Sequence, residues 1–224
     1  MGNFCCSEEN LVFPSEDKIK EIINFLKIRQ LNIDEIKEQI NIILTNNSEI
    51  DAIKEEFSKI FYETDASKNF YINCHKEIFN NFFEYLESGL NINQLIFLIF
   101  PLSKVTPNTK NHLIEILEDL SGPSISYERI KTLLQQVYEF YTIKITKDIK
   151  DSIRDEKIEK DLKVLIDEFF TEVKIEENIK RILMSYEGYS TEERNIGISD
   201  LVENLDRNNF KSYEEIRFMA IFDK

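Results

Sequence analysis

Glycine and proline are scarce in this 224-residue chain, at five and four residues. That is too few for the many tight turns of an all-β sandwich or barrel. Two histidines and three cysteines exclude a multi-zinc framework or a disulfide scaffold. Positive charge is short as well: 28 Lys and Arg stand against 42 Asp and Glu, a formal net charge of −14. A nucleic-acid binder needs a basic face to neutralise phosphates, so that class is set aside. The longest strongly apolar stretch, Leu95–Leu102, is far short of the roughly 20 residues of a membrane span. The N-terminus lacks the basic and apolar regions of a secretory signal, and an intracellular chain is expected. Catalytic signatures are missing too. There is no Gly-rich phosphate loop, no His-Glu-x-x-His helix and no Gly-x-Ser-x-Gly elbow, so no enzyme activity is expected.

What is present is core material. Hydrophobic residues make up 42% of the chain, too many for disorder on composition. Isoleucine leads them with 34 residues, and phenylalanine contributes 17. Ile, Asn and Lys share A/T-rich codons, so their abundance reflects genome composition more than function. The expected fold class is all-α.

The first residues, Met1-Gly2-Asn3-Phe4-Cys5-Cys6-Ser7, form the most specific short motif. Loss of Met1 would expose Gly2 for N-myristoylation, and Cys5 and Cys6 are suited to palmitoylation. One myristoyl chain binds a membrane only marginally, so a second signal is needed. Ser7-Glu8-Glu9 is acidic and cannot supply it, whereas thioacylated cysteines could. The usual Ser/Thr position of the motif holds Cys6, with the serine one residue late. The expected address is the cytoplasmic face of a membrane, reached through acyl chains; an unmodified tail would leave the chain cytoplasmic. Cys74 reads as a small core or loop residue.

Helix starts are frequent. Ser15 after Pro14 leads into Ile19, Ile22, Ile23 and Leu26 at helical spacing. Asn32 with Glu35 forms a capping box before Ile36, Ile40 and Ile43. Ser48 and Asp51 open a third helix, and Asn73 a fourth with Ile78, Phe79, Phe82, Phe83 and Leu86. Asn91 and Gln94 start the Leu95–Leu102 helix, Thr106-Pro107 an N-cap with Pro at the first helical position, and Ser126 the helix of Leu133, Leu134 and Val137. The charged stretch 144–163 reads as a solvated helix face or linker. Two further helices carry Leu162, Leu165 and Ile166, then Ile175, Ile179 and Ile182. Ser212 with Glu215 opens the last helix, through Phe222. The expected division is a flexible lipidation head over residues 1–14, an N-terminal lobe over 15–90 and a C-terminal lobe over 91–224.

One segment carries the spacing of a calcium loop. From Asp65, a twelve-residue EF-hand frame puts Asp65, Ser67 and Asn69 at positions one, three and five, where oxygen ligands are required. Tyr71 falls at seven, Ile72 at the apolar position eight and Asn73 at nine, where it caps the exiting helix. Phe70 replaces the glycine of the sharp turn, and Lys76 replaces the bidentate glutamate at twelve. The expectation is therefore a calcium-free loop and no cofactor. The apolar-then-cap step recurs at Ile33, Ile125 and Ile198.

On these residues the chain resembles the EF-hand superfamily, of the calcineurin B and neuronal calcium sensor type. Ile92 to Ser103 with Thr106-Pro107 and Lys110 is similar to the segment joining the second and third hands there. Ile114 to Leu120 resembles the entering helix of a third hand. The eroded second-half loops are closer still to the EF-hand-like N-terminal half of TLDc-domain proteins. The resemblance spans Lys18 to Phe222 and implies two lobes of paired helix-loop-helix units. It also implies a membrane-tethered, calcium-independent adaptor that takes a partner protein's helix in an apolar groove. Phe79, Phe82, Phe83, Phe97 and Phe100 are the candidate groove residues, with simple core as the competing reading. Two alternatives stay open: a calcium sensor using Asp65, Ser67 and Asn69, or a structural subunit of a cytoskeletal or membrane complex. His75 and His112 read as surface or capping histidines.

Overall fold

The computed structural model describes residues 13–47, 49–62, 71–87, 91–184, 186, 195–208 and 210–222. Among the described residues the chain is all-α apart from one two-stranded ribbon. Its elements run α1 (Pro14–Asn24), α2 (Ile33–Asn46), α3 (Ile50–Phe61), α4 (Ile72–Glu87), α5 (Ile92–Ile99), α6 (Thr109–Ser121), β1 (Ser124–Ser126), α7 (Tyr127–Glu139), α8 (Ile145–Ser152), α9 (Glu156–Val164), α10 (Glu172–Leu183), β2 (Asn195–Gly197), α11 (Ile198–Arg207) and α12 (Tyr213–Phe222).

Local chemistry explains most starts and stops. Pro14 takes the first helical position of α1, where its missing N–H costs nothing. Two i→i+3 bonds, from Phe25 N to Ile22 O and from Leu26 N to Ile23 O, close its last turn. Both expected capping boxes form, Asn32 with Glu35 and Asn91 with Gln94. Other starts differ from expectation. Asn108, not Thr106, precedes α6, because Thr109 Oγ1 bonds Thr106 N and O and holds 106–109 as a turn. Asn73 lies inside α4, one residue past its start. Glu49 precedes α3, and Ser48 lies outside the described residues. The final box is offset by one. Glu215 N donates to Ser212 Oγ, while Glu215 Oε2 accepts from Lys211 N.

The stretch 144–163 is helical and solvated along much of its length, but it is also anchored in the core. It holds two helices, α8 and α9, whose Ile145, Ile149 and Leu162 are wholly buried. The four-residue spacing of Ile145 and Ile149 builds a narrow apolar stripe inside a charged sequence. The backbone also widens twice. At Phe140–Lys144 a π turn joins α7 to α8, with Ile145 N bonded to Phe140 O. A second π turn, Leu165–Phe169, extends α9 and ends on Phe170 N to Leu165 O at 2.8 Å.

One contiguous apolar cluster runs from Ile19 to Ile221. It crosses residue 90 without a break: α1 packs on α9, and α4 on both α5 and α8. At the centre sits Arg217, 1% exposed. Its Nη1 donates to Tyr141 O at 2.5 Å and Thr146 Oγ1 at 2.9 Å, and its Nε to Glu16 Oε2 at 3.0 Å. Nη2 bonds Glu16 Oε1, closing a bidentate pair between the last helix and the first. The guanidinium lies 4.8 Å from the Phe170 ring centre.

Removing one member of a buried pair strands the other charge, whereas removing both is far milder. Glu16→Gln is therefore expected to lower stability by about 3 kcal/mol. Glu16→Leu combined with Arg217→Met should recover most of that loss. Urea-unfolding midpoints check both; losses that simply add would refute the pairing.

Candidate partner-binding cleft

The second half contains two helix-strand-helix units, α6–β1–α7 and α10–β2–α11. Their strands pair antiparallel, with Ile125 opposite Ile196 and both nearly fully buried. Ser126 then caps α7 by accepting from Arg129 N. In the second unit the step is Ile196-Gly197, not Ile198-Ser199, since Ile198 is already helical. Sequence reading placed it two residues late because Ser199 looks like a cap. The connection from α6 to β1 is two residues, Gly122 and Pro123. Gly122 makes the turn with φ 78° and ψ −156°, a region close to glycine-only.

The first half differs. Ile33 and Ile72 begin helices, and no ladder joins them among the described residues. Leu31, the extended residue before the Asn32 cap, bonds elsewhere, its carbonyl accepting from Lys104 N at 2.8 Å. Arg29 secures that junction by donating to Leu102 O and Ser103 O, and to Glu214 Oε1 at 2.8 Å.

On the α6–α11 side of the paired units an open cleft of about 360 Å³ is lined by Val105, Pro107, Leu113, Val202 and Phe210, with Lys110 and Lys211 at its edges. Val105 is 51% exposed. Thr106 Oγ1, also in the lining, is buried with no hydrogen-bond partner among the described residues. Phe210 stacks on Phe97 at 5.9 Å, so the cleft ends one ring short of an expected groove residue. Lys211 is held by Asp206 at 2.9 Å and Lys110 by Glu203 at 3.6 Å. The walls are apolar and the edges electrically balanced, which suits an apolar side chain.

The five expected groove phenylalanines are not on a surface. Phe79, Phe82, Phe83, Phe97 and Phe100 are each at most 3% exposed. Phe79 and Phe82 pack on Phe61, Phe83 on Phe79, and Phe82 on Phe140 at 4.1 Å. As folded they are core, and a helix could reach them only if α4 and α5 parted. Aromatic residues at helical spacing serve either role, and the sequence does not separate the two.

Gly2, Cys5 and Cys6 lie outside the described residues, as do Asp65, Ser67 and Asn69. Asn73 is exposed on the first turn of α4. Tyr71 is tied to α1: its hydroxyl accepts from Lys18 Nζ at 2.7 Å and pairs with Glu21, and its ring packs on Phe25. Among the described residues no three of His, Cys, Asp and Glu gather as metal ligands. His75 is buried, not on the surface. Its Nε2 lies 2.8 Å from Ile22 O, and burial pulls its pKa below the usual histidine range. Burial likewise pushes the neighbouring Cys74 thiol up. A protonated thiol beside a neutral, carbonyl-bound imidazole is not an activated nucleophile. His112 faces Asp34 Oδ2 at 3.1 Å and ties α6 to α2.

No known protein family, no curated protein and no solved structure matches the chain.

One carboxylate stands out. Asp148 on α8 accepts from Asn81 Nδ2 on α4 at 2.5 Å. Desolvation, with Glu77 and Asp151 adding repulsion, pushes its pKa up to about 6 against the pull of Lys144. A carboxyl raised on folding stabilises fully below its unfolded pKa and loses that contribution as pH rises through the folded one. Stability should therefore gain about 1 kcal/mol, discounted for solvent screening, as pH falls from 7 toward 4.5. Asp148→Asn should flatten this dependence in denaturation curves across that range. Separately, a Cβ at Gly122 would touch nothing within 4 Å, so Gly122→Ala isolates the backbone cost. A loss of about 1–3 kcal/mol is expected, read from thermal unfolding.

Proposed function

We propose that this chain is a membrane-tethered adaptor of EF-hand-like build that holds a protein partner without requiring calcium. The observation that carries the reading is the α6–β1–α7 unit: its strand pairs with a second unit, yet its connection is only Gly122-Pro123. In a calcium loop about seven residues, with four of the ligand positions, precede the apolar position eight. Here only Gly122, Pro123 and Ser124 separate α6 from Ile125, so the ribbon serves as a packing device that fixes two helix pairs. The fixed pair carries the open apolar cleft, with the Thr106 hydroxyl buried beneath its surface. A partner's apolar side chain fits that chemistry.

The tether would be acyl. No described helix is long and apolar enough to cross a membrane. A net charge of −14 repels anionic leaflets. Gly2 with Cys5 and Cys6 supplies two covalent signals, which suffices for stable attachment.

Calorimetric titration of the full chain with calcium is expected to give only heats of dilution and no change in far-UV circular dichroism. Specific heat with a change in helicity would replace the adaptor with a calcium sensor built on Asp65, Ser67 and Asn69. Gly2→Ala is expected to move the protein from the membrane to the soluble fraction of cells. A variant that stays membrane-bound defeats the myristoyl tether.

A further inference from the structure

Where α4 packs on α8, the two helices meet through a row of polar side chains. Cys74, Glu77 and Asn81 stand at i, i+3 and i+7, on one stripe of α4. The facing stripe of α8 is Asp148 with Ser152, four residues on. Ser152 hydrogen-bonds the Cys74 thiol, and Asn81 Nδ2 donates to Asp148 at 2.5 Å. Later residues of α4 meet earlier ones of α8, so the helices run antiparallel with the row between them. Toward α3 the same helix is bound by rings: Phe79 packs on Phe57 and Phe61, and Phe82 on Phe61. Across the row, Phe82 meets Phe140. A helix pair joined internally by aromatic rings, and to its neighbour partly by polar side chains, opens first along the polar side.

The row is also out of electrical balance. Asp148 is half-buried; Glu77 of α4 and Asp151 of α8 repel it, and Lys144 attracts it. Asp151 pairs with Lys150 at 3.3 Å, on the exposed side. The other helix against α8 is α9, which turns its charges elsewhere. Its Glu156, Lys157, Glu159, Lys160 and Lys163 are exposed, and Asp161 accepts from Ser15 N at 3.5 Å. An ionised Asp148 is therefore drawn toward water, whereas a protonated one rests against Asn81 without that penalty.

We propose that the α4–α8 row is a pH-responsive seam, shut in mild acid and looser at neutral pH, where the α3–α4 pair moves off α8. Opening returns Asp148 to water and to ordinary carboxylate acidity, so proton binding favours the closed row. That contribution is full below the ordinary carboxylate range and fades as pH rises through about 6. The device goes beyond the adaptor reading and does not depend on it.

Cys74 is a reporter already in place, buried within the row at 5% exposure. With Cys5→Ser and Cys6→Ser in the full chain, it is the one thiol left of three. Its labelling by a methanethiosulfonate is divided by the rate of the urea-unfolded chain at the same pH, which removes the thiolate chemistry. The ratio is expected to rise about fivefold between about pH 5 and about pH 7.5, and Asp148→Asn should flatten the rise. His75, on the α1 side of α4, is common to both chains and cancels in the comparison. Glu77→Gln should shrink the rise, and it decides the matter if Asp148→Asn fails to fold by circular dichroism. Hydrogen exchange separates the seam from global unfolding: α4 amides should follow Cys74, and α7 amides should not. A ratio that is flat or falls with pH, or one unchanged by Asp148→Asn, overturns the seam. So does opening of the α4 and α7 amides together.

Discussion

The arrangement of this chain depends on where a widened helical turn meets a buried arginine. A π turn takes carbonyls out of the regular i→i−4 ladder. At Phe140–Lys144 this leaves Tyr141 O able to accept from Arg217, with Thr142 O at the edge of reach at 3.5 Å. The extra residue also lets Phe140, Tyr141 and Thr142 all be buried in succession, which a regular helix with one apolar face does not permit. Phe140 meets Phe82, and the Tyr141 hydroxyl donates to Leu98 O at 2.6 Å. One irregular turn therefore fixes α4, α5 and α12 against the α7–α8 rod. Phe170, on which the guanidinium also packs, directly follows the second π turn.

The ion pairs around α12 are reciprocal. Arg217 of α12 reaches Glu16 at the start of the fold, while Glu214, three residues earlier, receives Arg29 from the same N-terminal region. Arg29 also lies 4.8 Å from the Tyr213 ring centre. Burying these groups is expensive, and a hydrophobic replacement could equal them in stability. What an Arg–carboxylate pair adds is direction: a bidentate fork accepts one register and disfavours its neighbours. A short helix with apolar residues at Ile216, Ala220 and Ile221 could slide along a greasy surface. The two pairs fix its position.

Much of this was legible. The capping boxes of Asn32 and Asn91, the Ser126 cap and the isoleucine stripes of α1, α2 and α10 follow from local rules, because those rules concern residues three or four apart. Three things were not legible, each for a physical reason. The π turns have no composition signal of their own; they arise where tertiary contacts demand an extra buried residue. The buried side of α8 and α9 was hidden because few apolar residues suffice to bury a narrow stripe, and Lys and Glu dominate the count. The fate of the phenylalanines turns on whether α4 and α5 stand apart or together, a question of packing between distant segments. In the cleft, Val105 and Pro107 follow the conspicuous 95–102 run, but only tertiary structure brings Val202 and Phe210 to them.

The acidity of the chain has different meanings at different places. On α6, Glu115 and Asp119 approach Lys37 of α2 at 3.9 and 3.6 Å, with the carboxylates more than half exposed; such pairs stabilise little and serve solvation. At Asp148 a carboxylate is partly desolvated, so its charge opposes the α4–α8 contact that it helps to form. Net charge alone cannot separate these cases, because it counts each carboxylate once. Burial of the neighbouring surface does separate them: a carboxylate over water-exposed helix serves solvation, whereas Asp148, desolvated between α4 and α8, couples its charge to the packing of the fold.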